Sequence, residues 1–410
     1  MLWHPDPVVR RLQWARAVRS IAQGIAVVDV SLYLAALHWS AVAIGSVLAG
    51  AAIVGGAMIA AVGPLSDRWG RRPFLLVYDA LAVAGALALA TSRATAPVAA
   101  AILITGFGRG QNGSAGPFTP AEQAWLAHRL PSGERGVVFS QNNALAFLGM
   151  GLGALLGGLP HWWSQALPGA ARFAPVFGLV ALLSSLVWII LWKTPEDRGR
   201  QNRAPAPPTL VQRENHDLAR LAVVNLFNGL AQGFTGPLIA YWFATRYHAT
   251  TAAVGAALAG SFFATAGAAW LAGQLSRSQG AVRVVVWLQA ISAALVLLLP
   301  WMPSLTSAAA LNILRVALGR GGQGARAAVS ASLTRDTRRG FALSVNSLAF
   351  RVSSAAGPPM AGWLWEAGWA AGPFAATALL QGMAVILYWQ WFRHRDVRPA
   401  ASAYAAGDTP

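Results

Sequence analysis

Six ionisable residues lie inside long apolar stretches of this chain: Asp29, Asp79, Arg109, Arg315, Arg320 and Arg351. In a bilayer core, each charge would cost about 2.5 to 3.5 kcal/mol on insertion scales, so such residues are candidates for function. A carboxylate whose burial is balanced by a nearby arginine can exchange a proton near neutral pH. We therefore predict proton coupling through Asp29, the only carboxylate near the middle of its stretch, or through Asp79. Permanently ionised structural pairs are the alternative for both.

Polar side chains recur at helical spacing within the same stretches, which predicts a wet cavity between helices. Thr105, Arg109 and Asn112 form one such stripe. Four arginines against two aspartates favour an anionic or polar small solute over a lipophilic cation. Buried hydrogen bonds between helices are the alternative explanation of the stripes. The predicted substrate cavity is lined by Tyr33, Asn225, Asn228, Gln232, Asn312, Arg315, Arg320, Asn346 and Arg351.

Other chemistries have little support in the sequence. The chain has no cysteine, its seven histidines lack metal-ligand spacing, and no nucleotide-phosphate loop is present. We expect no enzyme activity, no metal and no cofactor. The net charge of +17 comes from arginines in short segments between apolar stretches, which is a membrane-topology signal rather than a nucleic-acid footprint.

The composition predicts an all-α integral membrane protein. Of the 410 residues, 56% are hydrophobic and only 11% are charged, against about 25% charged in soluble domains. Twelve transmembrane helices can be drawn, each close to the 20 residues needed to cross a bilayer. They cover about 17–37, 41–63, 74–92, 97–117, 137–160, 172–192, 219–243, 251–275, 283–301, 304–325, 341–363 and 372–392.

Lysine and arginine predict the orientation. With both termini in the cytoplasm, 24 of the 31 basic residues lie on the cytoplasmic side, three lie outside and four lie within spans. The near absence of lysine suggests a GC-rich bacterial genome, so we expect a multi-pass protein of a bacterial inner membrane. We expect it to be a monomer whose partners are the lipid bilayer, protons and a solute.

The chain repeats itself at an offset of about 210 residues. Ala22-Gln23-Gly24 recurs as Ala231-Gln232-Gly233, and Arg109-Gly110 recurs as Arg320-Gly321. A polar, proline-rich segment separates the copies. These features predict two pseudo-symmetric six-helix bundles, at 1–192 and 218–410, joined by a cytoplasmic linker at 193–217.

A charged turn links the second and third predicted spans. It reads Gly63-Pro64-Leu65-Ser66-Asp67-Arg68-Trp69-Gly70-Arg71-Arg72-Pro73, and we expect Gly63 and Gly70 to allow a sharp reversal there. The turn resembles the loop between helices 2 and 3 of major facilitator superfamily transporters, which follows the pattern Gly-x-x-x-Asp-Arg-x-Gly-Arg-Arg/Lys. The resemblance covers the whole chain through its repeat. In the second copy Arg277 replaces Asp67.

The resemblance implies a conformational latch in this turn, formed by Gly63, Asp67, Arg68, Gly70, Arg71, Arg72 and Glu122. Asp67 would face the start of the eleventh span near Arg339, and Arg71 or Arg72 would pair with Glu122. Arg109 resembles the fourth-helix arginine that the family associates with proton coupling. Arginine stays charged at working pH, so it can tune a proton carrier but not be one.

Closely spaced glycines predict helix packing. Gly149, Gly153, Gly157 and Gly158 lie on the fifth span, and Gly357 and Pro358 on the eleventh. In the family's antiporters the fifth span resembles Gly-x-x-x-Gly-Pro-x-x-Gly-Gly, but Ala154 stands here in place of the proline, which weakens an antiporter assignment.

The resemblance implies a secondary active transporter that moves a small solute by alternating access, coupled to protons and of the efflux or antiport type. An anion symporter or a facilitator is the alternative within the class. A membrane sensor that transports nothing is the alternative outside it.

Overall fold

The computed structural model describes residues 3–108, 116, 121–122, 125–126, 129–130, 132–196, 208–333 and 339–395. Side chains of some helical residues also lie outside this description, those of 63, 64 and 66–69 among them. Six helices of the first half have both ends among the described residues. They are α1 (Pro7–Ala36), α2 (Ala41–Trp69), α3 (Arg72–Thr91), α4 (Thr95–Thr105), α5 (Ser132–Leu156) and α6 (Ala174–Trp192).

The second half contains eight helices, because two of its spans are interrupted. One break falls at Gly236, followed by Pro237, and the other at Gly322. The helices are α7 (Pro208–Thr235), α8 (Ile239–Tyr247), α9 (Thr251–Gln279), α10 (Ala281–Leu298), α11 (Leu305–Gly321), α12 (Gln323–Ser332), α13 (Arg339–Glu366) and α14 (Gly372–Phe392).

The predicted fold class is confirmed: the protein is all-helical, and its helices form twelve spans when each interrupted pair counts as one. Eight helices among the described residues are long and apolar enough to cross a membrane by length and composition. We call the side where α1 begins and α2 ends the tail side, and the opposite side the far side. Successive spans alternate between the two.

Several span boundaries differ from the prediction, and the seventh helix begins at Pro208 rather than near residue 219, inside the predicted linker. Three of the differences have a clear physical reason. The first helix begins at Pro7 rather than near residue 17, because the Asp6 carboxylate accepts from the amides of Val8 and Val9 and caps it. The fourth helix ends at Thr105 instead of continuing to 117, since Gly106 adopts a left-handed φ of 70°. The predicted span 219–243 is divided by the Gly236-Pro237 break.

Glycines bring α1 and α5 together. A Cβ at Gly24 would lie 2.9 Å from the Cα of Gly153, and one at Gly149 would lie 2.7 Å from the Ala17 carbonyl oxygen. The second half repeats this contact between α7 and α13, where a Cβ at Gly233 would lie 3.0 Å from the Cα of Gly357. The prediction that these glycines serve helix packing is therefore supported by direct backbone contact, and the sequence repeat corresponds to a structural one.

The two halves contact each other at the far side. A Cβ at Gly362 of α13 would lie 2.6 Å from the carbonyl oxygen of Ala41 of α2, and the Ala41 helix begins with Val42 N donating to Glu366 Oε1 over 2.9 Å. On the opposite flank, a Cβ at Gly158 would lie 3.0 Å from the Cα of Ala252. The described residues therefore define a closed far side, sealed by backbone contacts between small residues.

Replacing Gly153 tests the α1–α5 contact. We expect Gly153→Ala to destabilise the protein by about 1 to 3 kcal/mol, the usual cost of overpacking, because its methyl group would overlap the Ile21 carbonyl. Gly178→Ala on α6 is the matched control, since a Cβ there meets nothing within 4 Å. The thermal midpoints of the two purified variants provide the measurement. Equal midpoints would contradict the packing role.

Candidate functional site

Five polar side chains form a buried charge cluster at the tail end of the first half. Arg19 of α1 donates from Nε to Asp79 Oδ1 over 3.1 Å and from Nη2 to Asp79 Oδ2 over 2.9 Å. Its remaining nitrogen, Nη1, donates to Glu122 Oε2 over 3.1 Å. Arg16 Nη1 lies 3.7 Å from Glu122 Oε1, and Asn142 of α5 donates to that oxygen over 3.1 Å. We call these residues the charge cluster.

The charge cluster is neutral, since two guanidinium groups face two carboxylates. All five side chains are buried. The bidentate geometry between Arg19 and Asp79 makes strong charge-assisted hydrogen bonds, and removing one partner would leave an isolated buried charge. The cluster joins α1, α3 and α5 with the helical residue Glu122. Asp79 thus forms an ion pair with Arg19. A structural pair of this kind was the predicted alternative to proton coupling through Asp79.

Asp29 is in a different setting. It is completely buried in α1, and neither carboxylate oxygen has a hydrogen-bond partner among the described residues. A Cβ placed on Gly157, directly after α5, would lie 3.3 Å from Asp29 Oδ2, so the carboxylate faces the end of that helix. A buried charge without a partner is costly, so this carboxylate is held more easily with a proton bound.

Asp29 lies next to the closed far side. Gly157 is followed by Gly158, which contacts Ala252 of the second half, and Thr251 Oγ1 lies 3.5 Å from the Gly158 carbonyl oxygen. The carboxylate is therefore close to a contact that must separate if the far side opens.

Tyr33 does not line a cavity between the halves. Its hydroxyl donates to the Ser92 carbonyl over 2.7 Å, and its ring packs edge-on against Phe173 and Phe177. All of these partners belong to the first half. The prediction placed Tyr33 in the substrate cavity because it follows Asp29 by one turn, but the structure places it in the first-half core.

Three other predicted cavity residues meet inside the second half. Gln232 of α7 and Arg315 and Arg320 of α11 line a small cavity between α7, α10, α11 and α14. Arg315 donates from Nη2 to Asn312 Oδ1 over 2.9 Å, and Asn312 in turn donates to Ser261 over 3.3 Å. The predicted stripe on α11 is thus buried between helices of one half.

The remaining predicted cavity residues also have neighbours within the second half. Asn225 donates to Asn346 over 2.9 Å and accepts from Arg326 over 2.7 Å. Asn228 donates to the Val224 carbonyl of its own helix over 3.2 Å. Arg351 is partly buried on α13. In the contacts described for them, Asn225 and Asn346 meet each other, and Arg315 meets Asn312, whereas the described partners of Tyr33 belong to the first half.

The predicted latch is only partly described. Gly70 has a φ of 93° and makes the reversal between α2 and α3, whereas Gly63 lies within α2. The side chains of Asp67 and Arg68 lie outside the described residues. Arg72 donates to the Trp192 carbonyl and lies over the Trp192 ring at 5.6 Å, and Arg71 is buried. Glu122 forms ion pairs with Arg16 and Arg19 of α1.

Arg109 also lies outside the described residues. The last described residue before it is Gly108, whose φ is 75° and whose Cβ would lie 2.9 Å from Val30 of α1. Of the predicted stripe of Thr105, Arg109 and Asn112, only Thr105, at the end of α4, lies among the described residues.

Sequence reasoning missed the basic residues of the charge cluster. Arg16 and Arg19 were assigned to a charged tail because the first span was drawn from residue 17. The signal that could have found them is Asp6-Pro7, an N-cap followed by proline at the first helical position. With the helix begun there, Arg16 and Arg19 lie three residues apart on one face.

The chain matches the sequence model of the Major Facilitator Superfamily over residues 14–218 and 221–408. It therefore belongs to this family of membrane transporters. A comparison with curated proteins gives no significant match.

Solved structures with the same fold span almost the whole chain. A bacterial homolog of the human lysosomal transporter Spinster, in an inward-facing and unoccupied conformation, is 15% identical with a TM-score of 0.70 and covers 97% of this chain and 100% of its own. A D-xylose-proton symporter is 15% identical with a TM-score of 0.72, covering 94% and 97%. The nucleoside transporter NupG is 11% identical with a TM-score of 0.73, covering 94% and 100%.

A double-mutant cycle tests the charge cluster. We expect Asp79→Asn or Arg19→Gln alone to cost about 3 to 5 kcal/mol, because each leaves a buried charge with less compensation. The double variant should lose clearly less than the two single losses together. Unfolding of the purified protein in denaturant gives the measurement. The control is Asp79→Asn combined with Arg246→Gln, at an exposed position of α8, where the two losses of stability should simply add. If the losses of Asp79→Asn and Arg19→Gln also simply added, that result would argue against the pairing.

Proposed function

We propose that the protein is a secondary transporter that moves a small polar solute by alternating access and couples this movement to protons through Asp29. The observation that supports the proposal best is the setting of Asp29, whose carboxylate is buried beside the closed far side and has no hydrogen-bond partner among the described residues. Membership of a transporter family supports the class of function.

The coupling requires only that Asp29 binds protons differently in two conformations. In the conformation with the far side closed, burial favours the protonated carboxyl. Opening of the far side would separate Gly158 from Ala252 and admit water near Asp29, which stabilises the carboxylate. Protonation therefore favours closure, and deprotonation favours opening. A difference of one unit in pKa between the conformations would correspond to about 1.4 kcal/mol of coupling.

Asp79 and Glu122 are poorer candidates for the proton carrier. Each already accepts hydrogen bonds from guanidinium groups, so protonation would break charge-assisted bonds without a replacement. Arg109 stays a proposed modulator on the basis of the family resemblance.

We further propose that the tail side is cytoplasmic and that the membrane is a bacterial inner membrane, from the distribution of basic residues. For the solute, structures with this fold include a D-xylose-proton symporter and a nucleoside transporter. A panel of sugars, nucleosides and small organic anions, offered to liposomes that contain the purified protein, tests both transport and its substrate class. An absence of uptake and of exchange across the whole panel would favour the sensor alternative.

Asp29→Asn tests the coupling. We expect the variant to lose accumulation of solute driven by a pH difference and to keep exchange of solute down its own gradient, because its side chain cannot exchange a proton. Uptake by proteoliposomes under an imposed pH gradient gives the measurement. Asp6→Asn, on the same helix, is the matched control, since asparagine also caps a helix. Uphill transport by the Asp29→Asn variant would show that another group carries the proton.

A substitution at Gly45 tests the closure of the far side. A side chain there would overlap the Pro358 carbonyl of α13, so Gly45→Val should hold the two halves apart. The chain has no cysteine, so a pair introduced at Val42 and Glu366 can report closure by oxidative cross-linking. We expect Gly45→Val to reduce cross-linking several-fold, whereas Gly178→Val, where a Cβ meets nothing within 4 Å, should not. Unchanged cross-linking would contradict this closure mechanism.

A further inference from the structure

The cavity inside the second half has features that the transport mechanism does not use. It lies between α7, α10, α11 and α14 and has a volume of about 30 Å³. Its polar lining comes from Gln232, Gln289, Ser292, Arg315, Arg320 and Gln381. Four of these residues each have a buried polar atom without a hydrogen-bond partner among the described residues: Gln232, Gln289, Arg315 and Arg320.

The arginines give the cavity its charge. Arg315 and Arg320 are only 8% and 7% exposed. Arg315 Nε and Arg320 Nη1 are the unpartnered donors, and none of the lining residues is acidic. In the sequence, the only acidic residues between Leu218 and Phe392 are Asp336 and Glu366. Glu366 lies at the far end of α13, where it accepts from Val42 of α2. Two buried cations without a counter-charge are costly, and an anion would compensate them.

Comparison with the first half shows which group is missing. With the repeat offset of about 210 residues, Arg19 corresponds to Asn228 and Asp79 corresponds to Gln289. The first half thus places a carboxylate on its third helix, at a position where the second half places an amide on α10. Gln289 lines the cavity that contains the two arginines. The second half therefore buries two arginines beside an amide, at the position where the first half has a carboxylate.

We propose that this cavity binds a halide-sized inorganic anion, with chloride as the physiological species, held by Arg315 and Arg320. The volume supports this class, because about 30 Å³ admits one or two particles the size of water. A chloride ion fits that space. The Ser292 hydroxyl donates to the Arg315 carbonyl over 3.0 Å and so holds the helix that carries both arginines. The bound anion would stabilise the second half by holding α7, α10, α11 and α14 around the arginines and by compensating one of their two positive charges.

The site is separate from Asp29, which lies in the first half. Anion binding can be tested without transport and without a gradient. The anion proposal can therefore fail or succeed independently of the proposed function. The thermal midpoint of the purified protein is measured in sodium gluconate and then with gluconate replaced stepwise by chloride or bromide at constant ionic strength. We expect a saturable rise of about 2 to 4 °C with either halide, because a ligand that binds only the folded state stabilises it. Sulfate at the same ionic strength should give no such rise.

Two variants and a control connect this response to the cavity. Arg320→Gln should abolish the halide response, whereas Arg246→Gln, which removes an exposed charge of the same half, should keep it. Gln289→Glu would supply the carboxylate that the first half has at Asp79. We expect this variant to be more stable than the original protein in gluconate and indifferent to chloride.

The outcomes are distinguishable even if Arg320→Gln fails to fold. A halide response that is the same in Gln289→Glu and in the unchanged protein would overturn the proposal, as would equal midpoints in gluconate and chloride. In crystals grown with bromide, an anomalous scattering peak between Arg315 and Arg320 would support it directly. A peak at other positions only would count against the site.

Discussion

The cost of burying charge in an apolar bundle is the constraint on which the structure of the first half depends. Arg16, Arg19, Asp79 and Glu122 could not be buried separately, since each isolated ion would cost several kcal/mol. Together they form a neutral cluster with complementary hydrogen bonds. A single neutral hydrogen bond contributes about 1 kcal/mol, so the cluster dominates the polar energetics of the tail end. Its geometry fixes how α1, α3 and α5 meet there.

Small residues set the other constraint, which is the distance between helix backbones. Gly24 against Gly153 and Gly233 against Gly357 allow the first and fifth spans of each half to touch. Gly158 and Gly362 likewise allow close backbone contact between the two halves at the far side. Contacts of this kind have little side-chain bulk to interlock, so two halves that meet through them can separate without repacking large side chains. Inside each half, the helix contacts are reinforced by buried polar groups. This arrangement suits two rigid bundles that move relative to one another.

The sequence predicts the architecture better than the site. Span length, the repeat and the basic-residue pattern depend on local composition, and they led to twelve helices and the correct family. The site depends on which face of each helix meets which neighbour. Gln232 and Arg315 were predicted to line a substrate cavity because they are polar at helical spacing. That spacing shows which residues share a helix face, but it does not show which neighbouring helix the face meets. Arg16 and Arg19 were missed because the first span was drawn to begin near residue 17, ten residues after the helix begins, which left both at its edge. The partners of Tyr33 could not be predicted, because Ser92 and Phe177 are distant from it in sequence.

The two halves have diverged in charge while keeping their backbone symmetry. Glycine pairs at equivalent positions keep the helices at the same distance in both bundles, which preserves the fold. Substitution of Asp79 by its counterpart Gln289 removes a carboxylate from that fold without changing the side chain's length by more than one methylene group. In the described part of the first half, Asp79 and Glu122 are paired with arginines, whereas Asp29 has no hydrogen-bond partner. In the second half, the cavity that contains Arg315 and Arg320 has no acidic residue among its described lining residues. The symmetric bundles therefore divide charge unequally, which is why the proposed proton exchange belongs to the first half and the proposed anion to the second.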